Sequence, residues 1–148
     1  CRYRGYYFTH RGKLGFGKMI TADTHVIIWN ALSPGMLSLR ARKAFNKSGK
    51  DDGIIICGIS LWEIAMLIYK KRLVVSMGIH DFIELILDSN NYIIKDITPK
   101  IAEISTHLTD LKGDPADRII AATSIVENAP LITADEAIRN SKYVKTVW

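Results

Sequence analysis

The sequence predicts an α/β protein, a three-layer α/β/α sandwich around a mainly parallel central sheet, and three observations predict it. Short apolar, β-branched runs alternate with helical patterns throughout residues 19–148, and strands separated by helices favour parallel pairing through right-handed crossovers. The chain has 148 residues, 48% of them hydrophobic, which suits a globular domain and excludes a disordered or collagenous chain. The cysteines are Cys1 and Cys57 alone, too few for a disulfide scaffold or a cysteine-ligated metal, and they fit a reducing cytoplasm. A chain this long buries about 68–70% of its unfolded surface and needs no such staples.

Met19–Asp23 opens the alternation as a strand, followed by a short apolar helix or turn over Thr24–Leu32. Ser38–Lys47 reads as a helix with basic solvent positions, ended by the run Ser-Gly-Lys-Asp-Asp-Gly at 48–53. Gly53–Gly58 is a β-branched run suited to a strand buried on both faces. Ser60–Lys71 follows as a helix with Leu61, Ile64, Ala65 and Ile68 on one face. Ile79–Leu87 is a helix, Tyr92–Ile97 a strand, and Pro99–Leu111 a helix entered by proline at its first turn. Asp114–Glu127 is a helix, Pro130–Thr133 a strand, Asp135–Asn140 a short helix and Tyr143–Val147 the last strand. No internal repeat and no Pro/Gly/Ser linker divides this span, so 19–148 reads as a single domain. No apolar stretch reaches the ~18 residues a membrane span requires; the longest, Ile59–Tyr69, is interrupted by Glu63.

The formal charge of +5 is unevenly placed. Residues 1–18 hold Arg2, Arg4, Arg11, Lys13 and Lys18 and no acid, so residues 19–148 carry 15 charges of each sign and no net charge. The same leader holds five of the 13 aromatic residues and four of the 10 glycines, without helical or strand periodicity and without the apolar segment of a signal peptide. Met19 therefore reads as the native start. Residues 1–18 read as an appended tail or translated upstream sequence, expected to be disordered, and their alternative role is a basic aromatic arm stacking on RNA. The overall charge says little about partners.

Four acids fall where an open parallel sheet places its ligands, just outside the carboxyl ends of strands. Asp23 ends the first strand, Glu63 lies in the first turn after the second, Asp117 lies in the first turn of the helix that begins at Asp114, and Asp135 follows the strand Leu131–Thr133. Local structure explains each of them singly. Ser60-Leu-Trp-Glu63 and Thr133-Ala-Asp-Glu136 are capping-box patterns, Asp114 before Pro115 is a good N-cap, and Asp117 complements a helix dipole. Asp23 is hardest to dismiss, because it sits between apolar elements where an unpaired charge is costly to desolvate. Together the four require compensation. Carboxylates ~4 Å apart repel by about 4 kcal/mol per pair at an effective dielectric near 20, so a converging set implies a cation or bound protons. With no histidine–cysteine set for zinc, oxygen ligands point to Mg²⁺ or Mn²⁺ and to metal-assisted hydrolysis of a nucleic-acid backbone.

The segments Met19-Ile-Thr-Ala-Asp23-Thr-His, Ser60-Leu-Trp-Glu63-Ile-Ala, Asp114-Pro-Ala-Asp117-Arg-Ile-Ile-Ala-Ala-Thr and Leu131-Ile-Thr-Ala-Asp135 together resemble the PIN-domain family, specifically its small VapC-type toxins. The Asp-Pro-x-Asp-Arg block followed by Ile-Ile-Ala-Ala is the most specific piece, and the resemblance runs from Met19 to the C-terminus. It implies a PIN-like fold and an endoribonuclease dependent on Mg²⁺ or Mn²⁺, with Asp23, Glu63, Asp117 and Asp135 as its catalytic and metal-binding acids. It implies an RNA substrate such as tRNA, a homodimer, and a cognate antitoxin that blocks the site, hence a toxin of a toxin–antitoxin pair. The basic leader departs from the pattern of such toxins, which start close to their first strand.

Around these acids, Thr24 and Thr133 are candidates for orienting Asp23 and Asp135 through their hydroxyls, with helix capping the competing role. Asp114 reads as a cap rather than a ligand, and Arg118 as the partner of an acid or a phosphate, the ion pair being favoured. Trp29 and Trp62 read as core, and His25 as a partly exposed helix-start residue. Lys70, Lys71 and Arg72 suit a helix C-terminus or an RNA-facing rim. The apolar Ile79–Leu87 helix is explained equally by core packing and by a dimer or antitoxin surface. Two other classes compete with the nuclease: a noncatalytic RNA- or protein-binding module on the same scaffold, and a phosphoacceptor or phosphatase using Asp23 as nucleophile. The second lacks both the further aspartate two residues beyond Asp23 and a Gly-rich phosphate loop.

Overall fold

The structure, a computed structural model, describes residues 19–148; the leader 1–18 lies outside the described residues. Its sheet is built from β1 (Ile20–Ala22), β2 (Ile54–Cys57), β3 (Tyr92–Lys95), β4 (Leu131–Ile132) and β5 (Thr146–Val147). The strands lie in the order β3-β2-β1-β4-β5, and all four neighbouring pairs are parallel. The helices are α1 (Thr24–Leu32), α2 (Leu39–Lys50), α3 (Gly58–Tyr69), α4 (Ile79–Asp88), α5 (Pro99–His107), α6 (Pro115–Val126) and α7 (Glu136–Arg139).

The strand order turns back on itself at β1. The chain steps outward from β1 to β3, then returns across the sheet to β4 and steps out the other way. Right-handed crossovers therefore place α1–α4 on one face and α5–α7 on the other. The two cores obey this division. Ile20, Ala22, Ile54, Ile56 and Ile132 point into the layer with Val26, Ile27, Phe45, Ile64 and Phe82. Cys57 and Leu131 point the other way, into the layer with Ile101, Ile120, Ala121 and Ile138. Both faces of the sheet are covered, which is why β2 reads as a continuous apolar run rather than an alternating one.

Element ends follow local chemistry. Ser38 caps α2 through the Ala41 amide, Thr98 caps α5 through Ile101, and Pro99 and Pro115 occupy first turns where a missing N–H costs nothing. Gly53 turns the chain from α2 into β2 at φ +103°, and a Cβ there would meet the Asn91 carbonyl oxygen at 3.0 Å. Two departures from the sequence pattern stand out. A 3-10 turn over Pro34–Met36 joins α1 to α2. The predicted helix over Pro99–Leu111 stops at His107, with Leu108 and Leu111 leaving it to enter the core.

The α4 face reads differently too. Phe82 and Ile86 are buried, and Ile83 and Leu87 pack on the core, so core packing accounts for its apolar stripe. Leu85 on the outer side of α4 is exposed, as are Trp62 and Tyr69 of α3 and Val74 and Met77 in the connection to α4. Trp62, read from sequence as core, is 58% exposed. Among the described residues no helix is long and apolar enough to cross a membrane.

Candidate active site

The ends of β1 and β4 lie side by side at the point where the strand order reverses, the place where open α/β sheets bind ligands. Asp23 is the first residue beyond β1 and is 6% exposed. It caps α1, its Oδ1 accepting the Thr24 amide at 2.7 Å. Its Oδ2 accepts the Thr133 hydroxyl at 2.7 Å, a contact between residues 110 positions apart. The Thr133 hydroxyl oxygen in turn accepts the Asp135 amide at 3.0 Å. On the other side, the Thr24 hydroxyl donates to Glu63 Oε1 at 2.6 Å and shares a 2.9 Å hydrogen bond with Ser60. A carboxylate only accepts, so Thr24 gives its single proton to Glu63 and Ser60 donates to Thr24.

Glu63, Thr24, Asp23, Thr133 and Asp135 thus form one hydrogen-bonded arc along the carboxyl edge of β2, β1 and β4. This settles the competing local roles. Helix α3 begins at Gly58, with Cys57 as its cap residue, so Ser60 and Glu63 lie inside the helix and make no capping box. Their side chains face Thr24 instead. Thr133 does not cap α7; Asp135 does, its Oδ1 accepting the Ile138 amide at 3.0 Å. Asp114 caps α6 through the Ala116 amide at 2.9 Å, as its place before Pro115 implies.

Asp117 faces this arc from the first turn of α6 and, among the described residues, its carboxylate has no hydrogen-bond donor. Burial pushes its pKa up to about 7, reinforced by the charges of Asp23, Asp135, Glu63 and Asp114 in that order. Burial also raises Asp23, against the hydrogen bonds from Thr133 and Thr24, and raises Glu63, against the bond from Thr24. The His25 imidazole, exposed at the start of α1, lowers both. Acids drawn from four distant segments therefore share one electrostatic environment.

Arg118 departs from expectation. Among the described residues it forms no ion pair, and its Nε is buried without a hydrogen-bond partner. The sequence reading favoured an ion pair, but of the acids adjacent in the chain Asp117 faces the arc and Asp114 is engaged with a helix amide. Lys70, Lys71 and Arg72 are exposed beyond the end of α3.

The oxygen donors suit a hard divalent cation, and the crowded, donor-free Asp117 is the group such a charge would relieve. Among the described residues no three acid, histidine or cysteine groups close into a cage around an ion. An open arc suffices for Mg²⁺, which retains several waters and binds through one or two carboxylates together with substrate phosphate oxygens.

Residues 20–142 match the sequence profile of the PIN domain. The chain belongs to the PIN-domain family. It is 29% identical over 132 residues to Ribonuclease VapC22 of Mycobacterium tuberculosis, a match covering 87% of this chain and 98% of that protein. Among solved structures, the PIN fold seen here is similar to a chain of VapBC2 from Rickettsia felis bound to a DNA fragment from its promoter, with a TM-score of 0.64 and 19% identity. It is also similar to a chain of DNA-bound VapBC from Salmonella typhimurium, with a TM-score of 0.65 and 13% identity. Each of these two alignments covers 86% of this chain and 96% of the other.

Proposed function

We propose that this PIN-domain protein is the toxin of a toxin–antitoxin pair and acts as an endoribonuclease dependent on Mg²⁺ or Mn²⁺. The observation that carries this reading is the hydrogen-bonded arc from Glu63 through Asp23 to Asp135, faced by an unbonded Asp117, in a chain aligned over nearly its whole length with a ribonuclease. Residues 19–148 act as one catalytic domain.

Asp23, Glu63, Asp117 and Asp135 would hold the cation. Asp23 has both carboxylate oxygens oriented by donors, Glu63 keeps Oε2 available, and Asp117 keeps both oxygens available. The bound cation would supply charge for the scissile phosphate and acidify an attacking water. The chain's own work is positioning. Thr24 and Thr133 fix two carboxylates that would otherwise swing apart under mutual repulsion, and a fixed carboxylate costs no reorganisation when the reaction occurs. The unpaired Arg118 and the exposed Lys70, Lys71 and Arg72 would bind phosphates along the RNA. The substrate is structured RNA such as tRNA. A homodimer and a cognate antitoxin complete the assembly in the cytoplasm, and Trp62, Tyr69 and Val74 offer apolar surface for protein contacts.

The test is cleavage and growth together. The purified chain should cut RNA in Mn²⁺ or Mg²⁺ and stop in EDTA, and Asp23→Asn should remove both the cleavage and the growth arrest on expression. The neighbouring small open reading frame should relieve that arrest. Metal-independent cleavage that survives Asp23→Asn would sink the reading, and RNA binding without any cleavage would favour a noncatalytic module.

A further inference from the structure

The solvent face of α2 carries charge of one sign. Arg40, Arg42, Lys43, Lys47 and Lys50 lie on this helix with no acid among them. The rest of 19–148 holds 10 basic residues against 15 acids, so the overall balance of charge hides a segregation. Helical geometry fixes how these groups relate. Ala41, Phe45 and Ser48 are buried and define the inward side. At about 100° per residue, Arg40, Lys43, Lys47 and Lys50 fall within about 80° of one another on the outward side and span about 15 Å along the axis. Arg42 lies to one side, donating to the Pro34 carbonyl at 3.0 Å. The four in line are exposed, and among the described residues none forms an ion pair. Lys47 and Lys50 suit the last turn, where cations complement the helix dipole, but Arg40 opposes it in the first. Helix stability does not account for the stripe.

One end of the stripe reaches the edge of the sheet that carries the acids. Helix α2 packs against β5, and Arg40 borders the same hollow as Trp148. Val147 pairs with Ile132, and Ile132 with Ala22, so Trp148 and Asp23 leave the sheet at the same level, two strands or about 10 Å apart. Aromatic rings bridge that gap. The His25 and Trp29 rings lie 5.8 Å apart and the Trp29 and Trp148 rings 6.0 Å apart. The other end of α2 lies at the opposite edge, where Gly53 turns the chain into β2. The stripe therefore leads away from the acids rather than surrounding them.

We infer that this stripe is a docking face for the sugar–phosphate backbone of RNA, holding nucleotides several positions away from the cut. Exposed cations in a row bind a polyanion by releasing its counterions, without reading its bases. A protein partner fits the face less well. Protein interfaces are depleted of lysine and centred on apolar groups. The stripe instead holds three lysines, and Leu39 is the large exposed apolar side chain of α2. Trp62 and Tyr69 expose their apolar surface on α3, away from these cations. A short oligonucleotide held at the acids does not extend along α2, whereas a longer RNA reaches both.

The inference rests on the ribonuclease reading, and its test separates the two. A labelled RNA hairpin and a labelled tetranucleotide are titrated into the full chain in EDTA over a range of salt and followed by anisotropy. Arg40→Gln, Lys43→Gln, Lys47→Gln and Lys50→Gln combined should weaken hairpin binding on the order of 10²-fold at about 0.1 M salt. The slope of log affinity against log salt should fall by about 3. The tetranucleotide should bind the parent and this variant within about twofold, because it does not reach α2. Lys43→Arg, Lys47→Arg and Lys50→Arg combined keep the charge and should keep the hairpin affinity within about twofold. An unchanged slope in the glutamine variant, or a comparable loss in the arginine variant, would overturn the docking face. So would an equal loss for the tetranucleotide, which would place the effect at the acids. Poly-glutamate displacing the hairpin at equal charge concentration would also overturn it, making α2 a surface for acidic protein. The same hairpin in Mn²⁺ reports on the nuclease independently. Asp23-dependent cleavage with an unchanged slope removes the docking face alone, while a reduced slope without any cleavage by the parent keeps the face and removes the nuclease.

Discussion

The end of β1 and the first turn of α6 each present a carboxylate to the same space, and they treat it in opposite ways. Asp23 is almost fully buried, yet both its oxygens are engaged, one by a backbone amide and one by the Thr133 hydroxyl. Asp117 is less buried but has no donor at all, and its pKa rises to about 7 because burial and four neighbouring acids act on it unopposed. The sheet stabilises its own acid with hydrogen bonds, whereas the helix leaves its acid for something outside the chain to neutralise. Asp23 is tied into the scaffold by its bonds. Asp117 is held among like charges with no bond to offset them, which costs the ion-free fold stability.

The largest expected effect removes either side of this contrast. Asp23→Asn, Glu63→Gln and Asp117→Asn should each lower RNA cleavage by on the order of 10³-fold, since a bound divalent ion contributes several kcal/mol. Thermal unfolding sharpens it. Asp117→Asn should raise the Tm of the metal-free protein at pH 8, where the parent carries the repelled charge. Asp23→Asn should not, because it disturbs a bonded cap.

The supporting hydroxyl comes next. Thr133→Val leaves a buried Asp23 oxygen and the Asp135 amide without their partner, which should cost about 1–3 kcal/mol of stability and roughly 10–100-fold in metal affinity. Chemical denaturation and metal titration read the two losses separately. An unaltered metal affinity would show that the arc does not orient its acids.

A smaller effect is a pH dependence. Asp117 in the folded chain keeps its proton up to about pH 7, while its ordinary value is 3.8. Between these values the folded state binds a proton that the unfolded state lacks, so stability falls as pH rises from about 4 through 7. In EDTA the Tm should therefore decline over that range, less steeply in Asp117→Asn, and added Mn²⁺ should raise Tm more at pH 8 than at pH 5. The smallest effect concerns Arg118. Arg118→Ala should weaken RNA binding uniformly across sequences and reduce the slope of log affinity against log salt by about 1.

Much of this was legible in the residues. The alternation of β-branched runs with helical patterns carried the element order, and the four acids stood out because each follows a strand or opens a helix. The hydrogen bonding was less legible, since Ser60-Leu-Trp-Glu63 satisfies a capping box by spacing alone. Only the start of α3 at Gly58 turns those side chains towards Thr24. Trp62 misled in the same way, because an aromatic beside Leu61 and Ile64 suggests core unless the position of the helix face is known. An ion pair was expected at Arg118, and the sequence could not show that the acids adjacent to it point elsewhere.

The bond between Thr133 and Asp23 also sets when the arc can form during synthesis. A ribosome adding about 5–20 residues per second needs roughly 5–20 s to make the 110 residues that separate them. During that interval β1 has no β4 beside it, and Asp23 has no hydroxyl at its second oxygen. The arc can therefore close only after residue 133 has been made and β4 has docked beside β1.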